Sequence, residues 1–215
     1  MIKVLVISDD YWHPGDVIER GLKPLDGEEF ELDFIRTAKD ILTPEFIAGY
    51  QVILNCKGNS LNAANRSSWF DENTAECLPN DLAQYVKNGG GFISLHAGNT
   101  SKEGDPYTEF VGNRFITHPP RCAVEAKIVA KHPVTEGVSD FQIRDEHYEI
   151  KVVADDATIL MRTVSETGGD QVAGYVREMG KGRLCVLTPG HILGVFLNPD
   201  YKRMIENAIR WCAKA

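Results

Sequence analysis

Gly89-Gly90-Gly91-Phe92-Ile93-Ser94-Leu95-His96-Ala97-Gly98-Asn99 reads as a buried strand that ends in a histidine. An amphipathic helix leads into it, with Leu82, Tyr85 and Val86 on one face, and the glycines end that helix. Phe92, Ile93 and Leu95 form a short apolar run, and the small residues after His96 allow a sharp turn. In open α/β sheets, ligands bind beyond the carboxyl ends of the strands. His96 therefore stands where a functional side chain is expected.

Working outward, 2–7 is a continuous apolar run with β-branched residues, as in a strand covered on both faces. Val17, Ile18, Gly21 and Leu22 fit one face of a short helix, with Pro14 near its start. Residues 30–34 alternate as a second strand, and 51–55 read as a third buried one. Thr43 and Pro44 mark a helix start as N-cap and first residue. This rhythm predicts right-handed crossovers and a parallel sheet. Residues 56–76 form a long polar stretch, either a functional lid or an insertion. Residues 99–121 are irregular, and 122–130 alternate as a strand of unreadable direction. Residues 132–137 read as a turn or a very short helix, and 141–150 as an extended segment. Strands are expected at 157–162, 171–177 and 183–187, the last two as an antiparallel hairpin. Tyr201, Met204, Ile205, Ala208, Ile209 and Cys212 fall at helical spacing, with Asp200 as N-cap.

The fold class expected is therefore α/β, with a mostly parallel sheet, helices on both faces and an antiparallel hairpin near the C-terminus. No composition shift marks a second domain, so 1–215 is read as one. The net charge of −8 argues against nucleic-acid and anionic-membrane partners. The N-terminal apolar run is too short for a signal sequence, and none approaches a membrane span, which points to a cytoplasmic protein. The five cysteines are odd in number and without a Cys-x-x-Cys pair, so they read as free thiols.

His13, His96, His118, His132 and His191 sit in loops or at element ends. Three of them, His13, His96 and His191, follow strands, and neighbouring parallel strands end on one edge of a sheet. Imidazoles gathered there with a carboxylate make an acid/base pair or a metal site; apart, they are ordinary loop histidines. His132 reads as structural, and His118 borders the irregular segment. Alternation puts Asp145 and His147 on one face of their segment and Glu146 and Tyr148 on the other. That pattern suits a sugar hydroxyl or a proton transfer, and equally a solvated edge strand. Phosphate-binding, dinucleotide-binding and His-Glu-x-x-His motifs are absent. Asp9-Asp10 resembles the acidic pair of a phospho-receiver domain, but Asn55 stands where such a domain needs aspartate. A nucleophile elbow would place Ser or Cys where this chain has His96.

These segments match a known family. Residues 89–97, Glu109-Phe110-Val111-Gly112-Asn113-Arg114-Phe115-Ile116-Thr117-His118-Pro119, His132-Pro133-Val134-Thr135-Glu136-Gly137, Asp145-Glu146-His147-Tyr148, Gly180-Lys181-Gly182-Arg183 and Pro189-Gly190-His191 follow its order. The chain resembles the ThuA-like (trehalose utilization) family, within the class I glutamine amidotransferase-like fold. The resemblance implies a flavodoxin-like sheet with histidine in place of the amidotransferase cysteine. It also implies a link to disaccharide catabolism, often alongside oxidation to 3-keto sugars. Glu146, His96 and Tyr148 are then the expected catalytic residues, and His13, Asp145, His118 and His191 the expected substrate-binding residues. His96, His191 and Glu146 are the metal-ligand candidates, for a divalent ion such as zinc. The partner expected is a small-molecule sugar, and a homo-oligomer is compatible with it. Two other readings stand beside this enzyme. One is a non-catalytic sugar-binding or regulatory module; the other is a divergent hydrolase using Cys56, whose sulfur must then reach a histidine.

Overall fold

The structure is a computed structural model that describes residues 1–39, 41–59, 69–70 and 77–214. Strands β1 (Ile2–Ile7), β2 (Phe30–Ile35), β3 (Val52–Asn55) and β4 (Gly91–Leu95) come first, interleaved with helices α1 (Gly15–Leu22), α2 (Pro44–Ile47) and α3 (Pro79–Lys87). A 3₁₀ turn (His96–Asn99), helix α4 (Pro106–Val111) and β5 (Asn113–Thr117) follow. Then come β6 (Cys122–Ile128), β7 (Phe141–Asp145), β8 (Glu149–Val152), β9 (Thr158–Ser165), β10 (Gly169–Met179) and β11 (Gly182–Leu187). Helices α5 (Leu193–Phe196) and α6 (Pro199–Ala213) close the chain.

The main sheet has nine strands in the order β2-β1-β3-β4-β11-β10-β9-β6-β7. From β2 to β11 every pairing is parallel; from β11 to β7 every pairing is antiparallel. β5 and β8 pair antiparallel in a separate small sheet. Alternation along the buried strands splits the core into two layers. Val4 and Val6 of β1 join the layer under α1, α5 and α6, where Ile18, Phe196, Met204 and Ile209 are buried. Leu5 and Ile7 join the opposite layer, under α2, α3 and α4, with Ile47, Leu82, Val86 and Phe110. Each such fully buried apolar side chain contributes ~1.5–3 kcal/mol. The helices thus cover both faces, as the sequence predicts.

The local details differ in places. Thr43 does cap α2, its Oγ1 accepting from the Phe46 N–H at 3.1 Å. Asp200 does not cap α6; Asn198 does, with Oδ1 accepting from the N–H groups of Asp200 (3.0 Å) and Tyr201 (3.1 Å). Pro199 then takes the first helical position, where its missing N–H costs nothing. The segment 99–121 is not irregular throughout: Asp105 caps α4 and β5 follows. The segment 141–150 is not one strand: β7 stops at Asp145 and β8 begins at Glu149. His132 is structural, accepting from the Val134 N–H and lying edge-on to Trp211. All five cysteines are free. Most of the 56–76 stretch, 60–68 and 71–76, lies outside the described residues. Among the described residues, no helix is long and apolar enough to cross a membrane.

Candidate active site

Strand direction decides what meets at the carboxyl edge of the sheet. β1, β3, β4 and β11 all end there, which delivers His13, Lys57, His96 and His191 in the loops beyond them. The antiparallel pairings reverse the chain at each step from β11, so β9 and β7 also point to that edge. β7 therefore brings Asp145 and Glu146 to the same place. His13, His96, Glu146 and His191 each offer one ligand atom, and these atoms lie within 4.8 Å of one another.

The rings of His96 and His13 are oriented by a second protein group, and His191 is held through its backbone. His96 follows β4 with φ +44°, the left-handed region that costs a non-glycine residue energy and recurs at functional turns. Gly98 makes this turn feasible, since a Cβ there would sit 2.5 Å from the Asn55 carbonyl oxygen. Asn99 ties the turn to β11, its Nδ2 donating to the Leu187 carbonyl at 3.0 Å. His96 Nδ1 lies 2.8 Å from the Thr188 carbonyl oxygen, which only accepts, so Nδ1 donates. Nε2 is then turned to the centre, buried and without a hydrogen-bond partner. His13 Nδ1 donates to Asp10 Oδ1 at 2.7 Å, leaving Nε2 facing inward, 3.4 Å from the Tyr148 hydroxyl. His191 is held through its backbone: Asp145 accepts from the N–H groups of Gly190 (2.7 Å) and His191 (3.0 Å). Its Nδ1 is also buried without a hydrogen-bond partner.

Glu146 faces this group. Its Oε2 lies 3.2 Å from His191 Nδ1, 3.6 Å from His96 Nε2 and 3.6 Å from His118 Nε2. Burial opposes its charge, but the His191 and His96 contacts outweigh that and hold the carboxyl well below the usual carboxylate range. Burial likewise pushes His96 down, and Glu146, Asp145 and the Thr188 carbonyl more than reverse it, so its pKa is raised. His13 is pushed down, first by burial and further by His96 and His191, against the pull of Asp10. The Tyr148 ring stacks on His96, with centroids 4.2 Å apart and planes at 28°, and on His118 at 5.5 Å and 25°. Burial and the nearby Glu146, Asp10 and Asp145 keep its phenol protonated far above its ordinary range. A cavity of about 960 Å³ opens over these groups, lined among others by His13, His118, Glu146, Tyr148, His191 and Trp12.

Of the residues singled out from sequence, His13, His96, His118, Glu146, Tyr148 and His191 come together. Asp145 does not line the cavity; both its oxygens are spent on the backbone before His191. Its partner on that face, His147, is bound to Ser165 and Thr163. The residue missed is Asp10. Besides His13 Nδ1, its carboxylate accepts from the N–H groups of Trp12 and His13 (both 2.9 Å) and of Gly58 (2.9 Å). Burial works against its charge, yet the His13 and backbone bonds lower its pKa. An Asp-x-x-His spacing after the first strand was the available signal. Lys57 backs the same loop, its Nζ donating to the Asp9 carbonyl at 2.8 Å; burial brings it down to about 8 against Asp10 and Asp9. Cys56 lies in the core, and burial, with Asp10, raises its thiol well above the ordinary range, unlike a nucleophilic thiolate.

The family model for trehalose utilisation proteins, ThuA, matches residues 3–212. The chain belongs to the ThuA family. Among curated proteins, none matches the sequence. Solved structures give the fold of this ThuA chain independently. A ThuA-like protein from Parabacteroides merdae superposes with a TM-score of 0.76 at 16% identity, covering 99% of this chain and 90% of that one. One from Bacteroides uniformis gives 0.72 at 19% identity, covering 98% and 91%. A β-galactosidase from Rahnella sp. R3 gives 0.68 at 13% identity, covering 100% of this chain but 31% of that one. At such identities the likeness is one of fold, and it extends to a portion of a much larger enzyme.

Proposed function

We propose that this ThuA-family protein is a sugar-processing enzyme of trehalose or related disaccharide utilisation, moving a proton next to the carbonyl of a keto-glycoside. The observation that carries the reading is the convergence of His13, His96, His191 and Glu146, three of which line one cavity while His96 lies buried behind them. A non-catalytic module has no need for inward ring nitrogens left without hydrogen-bond partners.

The donor set fits a divalent ion such as zinc. Ligand atoms around a tetrahedral ion with ~2.05 Å bonds lie ~3.4 Å apart, and catalytic zinc sites keep three protein ligands and one open position. His13 and His96 have the outer-shell partners of metal-bound imidazoles, a carboxylate and a backbone carbonyl. His191 has its backbone fixed instead. Ligating carboxylates are themselves hydrogen-bonded. The side chain of Glu146, by contrast, is paired only with histidines among the described residues. The three histidines would therefore hold the ion, and Glu146 is the base. When bound, such an ion polarises a carbonyl oxygen.

Glu146, ionised and lining the cavity, takes the proton from the carbon beside the carbonyl. The C–H electron pair moves toward the carbonyl oxygen. Tyr148, protonated, orients a hydroxyl, and His118 closes the side of the cavity beside it. Incubation with 3-keto-trehalose in deuterated water tests this. Deuterium should enter the carbon beside the carbonyl, or an elimination or hydrolysis product should appear. If neither occurs with any of a set of keto-disaccharides, the reading fails.

A further inference from the structure

Trp12 is not used by the chemistry above, yet its placement is constrained. It follows Tyr11 and precedes His13, so its Cα is ~3.8 Å from that of a residue at the reacting centre. Its N–H donates to Asp10 Oδ1 at 2.9 Å, on the same buried carboxylate that orients the His13 ring. The Gly58 N–H, on the neighbouring loop, binds the other oxygen of that carboxylate. The backbone is thus pinned from two sides. The side chain is nonetheless 68% exposed and forms part of the cavity wall. Tyr11 lies edge-on to it, ring centroids 4.7 Å apart and planes at 82°, which restricts the indole further. Tyr11 and Trp12, both exposed and in ring contact, together present an aromatic surface at the cavity wall.

We propose that Trp12 forms a second sugar subsite, on which the outer ring of a two-ring glycoside stacks while the inner ring reacts at Glu146. This rests on the sugar reading above and adds what determines specificity. The cavity, about 960 Å³, is at the upper end of the ~300–1,000 Å³ usual for small-molecule sites and has room beyond one ring. Its lining also carries Lys102 and Arg121 as hydrogen-bonding groups for hydroxyls. Lys102 and Arg121 form no ion pair among the described residues, which leaves their donors for a ligand. An aromatic face opposed by scattered polar groups suits a sugar ring, with its apolar C–H face and polar rim.

Iodide quenching of tryptophan emission tests this directly. Trp69 and Trp211 are 1% and 7% exposed, so Trp12 is the tryptophan that iodide reaches. Trehalose or 3-keto-trehalose should shield it, whereas glucose at the same concentration should not. Trp12→Ala should raise KM for the keto-disaccharide ~10-fold with kcat little changed, and Trp12→Phe should recover most of that loss. Two-ring binding without shielding, with KM unchanged in Trp12→Ala, overturns the subsite and leaves the sugar reading standing. A fall in kcat that Trp12→Phe does not rescue assigns Trp12 to loop support, which also overturns the subsite. If wild type binds none of the three sugars and turns over none, both readings fall.

Discussion

Glu146→Gln is expected to lower turnover of the keto-disaccharide by ~10³-fold, within the ~10²–10⁴-fold that a positioned general base supplies. The substitution keeps the shape of the side chain and removes its negative charge, and with it its capacity to accept a proton. Glu146 sits in the cavity wall, beyond the end of β7, and belongs to neither core layer. The melting temperature should therefore stay within ~3 °C of wild type, about 1 kcal/mol for a domain of this length. Stopped-assay kinetics and thermal unfolding monitored by circular dichroism measure the two quantities. Turnover within a factor of about three of wild type would remove Glu146 from the chemistry.

The largest loss of stability is expected from Asp145→Ala. Asp145 is buried and accepts from the backbone N–H groups of Gly190 and His191. Alanine leaves two buried donors without acceptors, at ~1–3 kcal/mol each. A total of ~3 kcal/mol corresponds to a fall of ~6–12 °C in melting temperature for a chain of this size. The same change frees the backbone that carries His191, so activity should fall as well. A loss of activity without a loss of stability would mean that Asp145 meets the substrate directly, as a substrate-binding residue does. Asparagine at this position retains one acceptor oxygen and should recover part of the stability.

Much of this arrangement is legible in the sequence. The apolar runs at 2–7, 51–55 and 92–95 are buried strands because both faces of a parallel sheet are covered, and continuous hydrophobicity records that. From them follows the shared edge, and with it the expectation that His13, His96 and His191 meet. Glu146 is harder to place. It reaches the site through successive antiparallel reversals from β11 to β7, and a strand such as β6 carries no mark of its direction. Alternation does separate the pair Glu146 and Tyr148, in the cavity wall, from Asp145 and His147, buried away from it. It does so although the strand breaks between Asp145 and Glu149, so the facing of the side chains outlasts the regular backbone. Asp10 is set aside with the phospho-receiver reading because three of its four donors are backbone N–H groups, and only the Asp-x-x-His spacing to His13 marks it in the sequence. The cap of α6 is missed for a simpler reason. Asp200 and Asn198 are both good caps, and Pro199 between them decides in favour of the residue before it.

The central claim is that three histidines hold an ion and Glu146 works beside it. The most direct measurement is the metal content of the purified protein by mass spectrometry, after loading with zinc and removal of the excess. The account predicts one divalent ion per chain in wild type and in Glu146→Gln, and its loss in His96→Ala and in His191→Ala. Wild-type protein that is folded yet binds no divalent ion, or His96→Ala that retains a full complement, would contradict it.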